Sequence, residues 1–277
     1  MTDSDLQFLT SKASQGDVSA LYDLATYYQS RNEYDTAFNY AYRGATRYYP
    51  PCERKLAYYY EKGIGTEVNY QLALHYYNLA INHGDIPSIA NLGLLYYRGS
   101  GVEKDEKKAF SLIEEAANKG NLKAIATLAR FYHLGIGVEK DETKYFELLN
   151  KVLELGDKTA YHLVALCYYN GVGVEKNYEK ALSLFMMGSE EGDDECFYYL
   201  GVMHIAGEGC EKDYTRALYF YQKGAQKGDP RAMFNLALFY ENGVYVPKNL
   251  EMAKYWIEQA AKLNFAEAKE KLKSLNY

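Results

Sequence analysis

The residues able to do chemistry are few and scattered. The five histidines are His75, His83, His133, His162 and His204. None belongs to an HExxH pair, the spacing that turns two imidazoles to one side of a helix around a metal ion. The four cysteines, Cys52, Cys167, Cys196 and Cys210, include no CxxC pair, so no zinc site is expected and they read as small buried thiols. Serine and carboxylates are plentiful, yet no GxSxG elbow and no SxxK pair sets a nucleophile beside a base. A GxG motif recurs at Gly63-Ile64-Gly65, Gly99-Ser100-Gly101, Gly135-Ile136-Gly137, Gly171-Val172-Gly173 and Gly207-Glu208-Gly209. Phosphate-cradling glycines precede a helix N-terminus, whereas these follow the expected end of a helix, so they read as turns. No catalytic residue, metal or cofactor is expected.

The elements that position these residues are written as a repeat. Gly84, Gly120, Gly156, Gly192 and Gly228 begin similar stretches 36 residues apart, and a fixed period of this length marks a stacked array of helical units. The expected organisation is a single repeat domain over 1–277. It comprises a cap helix at 1–15, repeats at 16–47, 48–83, 84–119, 120–155, 156–191, 192–227 and 228–263, and a cap helix at 264–277. The first repeat is short in the loop Gln29-Ser30-Arg31-Asn32. The second opens on Tyr48-Tyr49-Pro50-Pro51 instead of Gly-Asp.

Each unit predicts two antiparallel helices, A and B. With the opening glycine at position 0, the next Asp (Asp17, Asp85, Asp157, Asp193, Asp229) suits the N-cap of helix A. Ser4 or Asp3 suits the cap of the first helix. Position 4 is small from Ala20 to Ala232, position 8 is Leu or Val, position 9 is Gly or Ala, and position 12 is Tyr or, once, His204. This spacing gives helix A one apolar packing face. Asn69, Asp105, Asp141, Asn177, Asp213 and Asn249 are expected to cap helix B, whose small position is Ala except at Tyr145.

The pattern GDxxAxxxLGxxYxxGxGVxxD, followed by Ala and a paired Ala-Ala late in helix B, resembles the Sel1-like repeat family, a relative of tetratricopeptide repeats. It is fullest in 84–119 and 228–263. The resemblance implies an all-α fold, a right-handed α-solenoid of about seven two-helix repeats between cap helices. It also implies a non-catalytic protein–protein interaction scaffold or adaptor. One branch of the family has β-lactamase-like activity, but its paired cysteines in every repeat are absent here. A homotypic assembly or toxin-neutralising binding module is a further alternative.

In related solenoids helix A lines the concave side, so the candidate partner-binding stripe is positions 6, 10 and 13 of helix A, which share a face. Its members are Tyr58, Leu94, Tyr97, Arg130, His133, His162, Leu166, Tyr169, Tyr198, Val202, Phe234 and Leu238. His133 and His162 are expected to lie near one another on it. The alternative for position 10 is packing between A helices. A net charge of −6 argues against nucleic acid or an anionic membrane surface and favours a partner with a basic segment. No stretch reaches the ~20 apolar residues of a membrane span. The opening MTDSDLQFLT has no secretory pattern, so a cytoplasmic protein is expected.

Overall fold

The computed structural model describes residues 2–274; the last three residues of the expected C-terminal cap lie outside them. Among the described residues the regular structure is helical, and the chain falls into two units that meet at Asp141 and Glu142. The first contains α1 (Asp3–Ser14), α2 (Val18–Ser30), α3 (Tyr34–Ala45), α4 (Pro50–Lys62), α5 (Tyr70–Asn82), α6 (Ile86–Arg98), α7 (Glu106–Asn118) and α8 (Leu122–Leu134). The second contains α9 (Glu142–Glu154), α10 (Tyr161–Asn170), α11 (Tyr178–Glu191), α12 (Cys196–Ala206), α13 (Tyr214–Gln226), α14 (Pro230–Asn242), α15 (Leu250–Lys262) and α16 (Ala266–Ser274). Even-numbered helices from α2 are the A helices. Within a unit an A helix packs on its own B helix and on the B helix before it, as α4 does on α5 and α3 and α14 on α15 and α13. The A helices α2 and α4, and α12 and α14, also touch directly. The fold is an all-α solenoid.

Local chemistry explains the boundaries. Asn69, Asp105, Asn177, Asp213 and Asn249 each accept the amide three residues on, at 2.8–3.0 Å, and so start the B helices. Asp17, Asp85 and Asp229 do the same for A helices, and Asn121 caps α8. Two expected caps are corrected. Helix α1 is capped by Thr2, which exchanges side-chain and backbone hydrogen bonds with Asp5 in a capping box, so neither Ser4 nor Asp3 caps it. Helix α12 starts at Cys196 with no side-chain cap, and Asp193 is turned instead to His162.

Positions 4, 8 and 9 of helix A are buried throughout, from Ala20, Leu24 and Ala25 to Ala232, Leu236 and Ala237. Position 12 differs from expectation. Most of its tyrosines are half-buried, while position 11 (Tyr59, Leu95, Phe131, Cys167, Met203, Phe239) is buried. Steps of four drift by about 40° each on a 3.6-residue helix, so a step of three after position 8 returns to the core face.

The GxG turns interlock neighbouring units. The first glycine takes the left-handed conformation that ends helix A, as Gly135 does at φ 69°. The second, also left-handed, lies against the start of the preceding B helix. A Cβ on Gly137 would overlap the Glu106 carbonyl, and one on Gly173 the Glu142 carbonyl. In the last unit Tyr245 takes this place at φ 53° and stacks its ring on Tyr214, the first residue of α13, at 5.5 Å.

Candidate functional site

The proposed stripe is carried by α4, α6, α8, α10, α12 and α14. It stands opposite packing positions 4, 8 and 11, although Leu166, Tyr169, Tyr198 and Phe234 also lean on the core. Tyr58 and Arg130 are exposed, and the other ten residues are half-buried; none is buried. At position 10, Leu94, Leu166, Val202 and Leu238 are half-buried.

Several stripe residues already have partners. His162 Nδ1 lies 2.8 and 3.1 Å from the two carboxylate oxygens of Asp193, and its backbone N–H donates to the same group at 2.9 Å. Tyr169 Oη donates to Glu208 at 2.6 Å, and burial together with that carboxylate pushes the phenol well above its usual range. The Arg231 guanidinium lies 4.5 Å over the Tyr198 ring and also binds Asp229. Phe234 meets Phe265 at 5.6 Å, and Tyr97 meets Phe131 at 5.4 Å. His133 stands in the first unit and His162 in the second.

In the first unit, the stripe residue Tyr58 comes together with Tyr22 and Gln29 of α2 and Arg54 of α4. With Lys55 and Asn91 they line a pocket of about 320 Å³. Position 7 supplies Lys55 and Asn91, and the sequence reading did not include that position.

Sequence reasoning places His204 on the packing face but misses its pairing and the buried carboxylates. Glu53 is 0% exposed and receives His83 Nδ1 at 2.9 Å. Glu61, at position 13, accepts from Tyr77 Oη at 2.9 Å and from Arg98 at 3.2 Å. His204 is buried, stacks on Phe220 at 5.4 Å and meets Cys210 Sγ at 3.4 Å; burial lowers its pKa. The available signal was a Glu in the column of Leu21, Ile89 and Ile125, and a Cys in the column of Val102, Val138 and Val174. Burial also pushes Cys52 and Cys167 up to about 12, and all four cysteines are free. Among the described residues no cluster of three or more His, Cys, Asp or Glu is placed to hold a metal ion. No helix is long and apolar enough to cross a membrane.

The capped helix pairs, small buried columns and glycine turns agree with what comparison of the sequence finds. The Sel1 repeat matches residues 50–85, 86–121, 122–157, 159–193, 197–229 and 230–265. The chain belongs to the Sel1 repeat family. The short pair α2–α3 lies before the matched residues but carries the same Asp17 cap and buried Ala20 and Leu24. Among solved structures, this Sel1 repeat chain is similar to c5321, a protective antigen present in uropathogenic Escherichia coli strains and displaying an SLR fold. Identity is 27% and the TM-score 0.79, over 98% of this chain and 59% of that one. The chain thus spans about three-fifths of that antigen's length. It is also similar to a Sel1 repeat protein from Oxalobacter formigenes, at 29% identity and a TM-score of 0.74, over 87% of this chain and 96% of that one. No protein with a curated description matches it.

Proposed function

We propose that this Sel1 repeat chain is a non-catalytic scaffold that holds a partner protein or peptide against the row of its A helices, in the groove expected there. The observation that carries this reading is the partial exposure of the stripe. Rings and branched side chains at Tyr169, Tyr198, Val202, Phe234 and Leu238 stay half-exposed, although positions 4, 8, 9 and 11 of the same helices are buried. A solvated helix face favours charged residues, and exposed contiguous apolar surface marks interaction sites. Tyrosine and phenylalanine supply large contact areas at little entropic cost.

A non-enzymatic role is supported by the state of the thiols. Three of the four are buried, and burial raises all four pKa values, so none is an activated nucleophile at neutral pH. Free thiols also agree with a reducing, cytoplasmic setting.

The test is the double substitution Tyr169→Ala with Tyr198→Ala. Against a partner captured from native lysate and then purified, it is expected to lose about 2 kcal/mol or more of binding, a hot-spot loss. Normal binding by a double variant that has lost much of its thermal stability would assign these rings to the core and end the reading.

A further inference from the structure

The pocket at the α2, α4 and α6 end of the row differs in chemistry from the rest of the stripe. Its lining is Tyr22, Gln29, Arg54, Lys55, Tyr58 and Asn91, and it contains no carboxylate. The Lys55 ammonium is half-buried within it. Lys55 donates one hydrogen bond, to Gln29 Oε1 at 3.3 Å, and rests 4.8 Å over the Tyr22 ring. Among the described residues it has no ion-pair partner, so two of its three N–H groups are uncommitted. The Tyr59 hydroxyl lies 3.1 Å from both Gln29 Oε1 and the Ala25 carbonyl, which share its one proton. Arg54 gives one N–H to Asp85 at 2.5 Å, and the Asn91 amide makes no hydrogen bond among the described residues. The other nearby carboxylates face elsewhere, Glu53 to His83 and Glu61 to Tyr77 and Arg98. The walls therefore present uncommitted N–H donors at Lys55 and Asn91 and no carboxylate, an arrangement that an anion completes.

The repeat is its own control for whether the fold needs that cation. At the position of Lys55 the other units hold Asp23, Asn91, Thr127, Leu163, Tyr199 and Asn235. The helix accepts an apolar or neutral side chain there in five of these six units, and an aspartate in the other, so packing does not call for a lysine. Withdrawing an ammonium from water costs free energy unless a counter-charge meets it, and burial lowers the Lys55 pKa.

We propose that this pocket receives the carboxylate of an aspartate or glutamate side chain in an extended segment of the partner, held by Lys55 with Asn91 and the tyrosine hydroxyls beside it. A side chain is favoured over a chain terminus because three successive A helices contribute to the pocket, so a segment lying along the row passes over it. The local charge is opposite to the net −6 of the chain, so a basic segment is disfavoured at this point. The inference rests on the reading that the A-helix face holds a partner.

The experiment titrates a glutamate-rich peptide, acetylated and amidated at its ends, into the full chain by calorimetry at low salt. Saturable binding with Kd below about 1 mM is expected. It should weaken about tenfold or more in Lys55→Met, hold in Lys55→Arg and be unchanged in Lys108→Met, and the glutamine version of the peptide should not bind. Since Leu163 and Tyr199 occupy the equivalent site elsewhere, Lys55→Met is expected to melt like the parent. If it unfolds, Asn91→Leu carries the test, with weaker binding again expected. No binding of the glutamate peptide, or equal binding by the parent and the pocket variant, overturns the proposal. So does a preference for inorganic phosphate or for a neutral peptide with a free terminal carboxylate. If the pocket fails while Tyr169 and Tyr198 still govern partner binding, only this inference falls; if both fail, the scaffold reading falls with it.

Discussion

Gly120 and Gly137 differ in a way that isolates the interlock between repeats. Both have left-handed backbone, at φ 84° and 68°. An alanine in this region costs about 1–2 kcal/mol, partly offset by the reduced freedom of the unfolded chain, about 0.4–1 kcal/mol. Around Gly120 a Cβ would meet nothing within 4 Å, so Gly120→Ala is expected to cost about 1 kcal/mol or less. At Gly137 the Cβ would overlap the carbonyl carbon and oxygen of Glu106 and come to 3.0 Å from Phe110 Cβ. These atoms belong to the first turns of α7 and cannot rotate aside, so the turn itself must withdraw. An overpacking cost of about 1–3 kcal/mol adds to the strain, giving about 3 kcal/mol in all. Urea unfolding followed by far-UV circular dichroism measures both variants. Slopes should be compared as well as midpoints, because a repeat array need not unfold in one step. Equal destabilisation of the two variants, or a larger loss at Gly120, would refute the argument that the second glycine is required for close approach.

Three further outcomes are expected. Enlarging Ala160 or Ala232 to Leu should overpack buried sites and lower stability by about 1–3 kcal/mol, with Ala232 the more severe because it faces Gly224 of the preceding helix; thermal melts equal to the parent would show that position 4 has room. Under native conditions a thiol reagent should modify Cys210 well before Cys52, Cys167 and Cys196, which are buried, and all four should react in denaturant. His204 has a folded pKa lowered by burial, so the unfolded chain takes up the proton first. Its contribution to stability should be intact above about pH 6.5 and be lost as pH falls below it; His204→Tyr, the residue of the other units, should flatten that part of the profile.

The architecture was legible because the same choices recur. A glycine, a capping Asp or Asn, a small residue and a leucine return at fixed offsets, and each has one local job. What the reading lost were the places where a unit departs from its column. Glu53 and His204 satisfy their polar atoms through His83 and Cys210, and such pairing depends on where a neighbouring loop ends. Position 11 was overlooked because counting by fours is an integer approximation to a period of 3.6. The stripe was deduced as the remainder of the packing face, and its twelve residues are half-buried or exposed. Its internal ties, such as Tyr169 to Glu208 across 39 residues, have no periodic signature. Nor had the uncommitted ammonium of Lys55, which is visible only once Gln29, Tyr22 and Asn91 surround it.

The contact between each second turn glycine and the start of the preceding B helix also bears on how such a chain can lengthen. Each of the five repeats with the glycine pair carries a socket at one edge, the bare glycine, and the matching plug at the other, the first turn of its B helix. A tandem copy of one whole repeat therefore arrives with both halves of the joint and can be spliced between two existing ones without redesigning either. A gain or loss of a few residues within the turn moves the socket away from its plug and leaves the joint open on both sides. Length variation in this lineage should accordingly come in whole-repeat steps, with smaller changes tolerated where, as at Gln29 to Asn32, the joint is not built from the glycine pair.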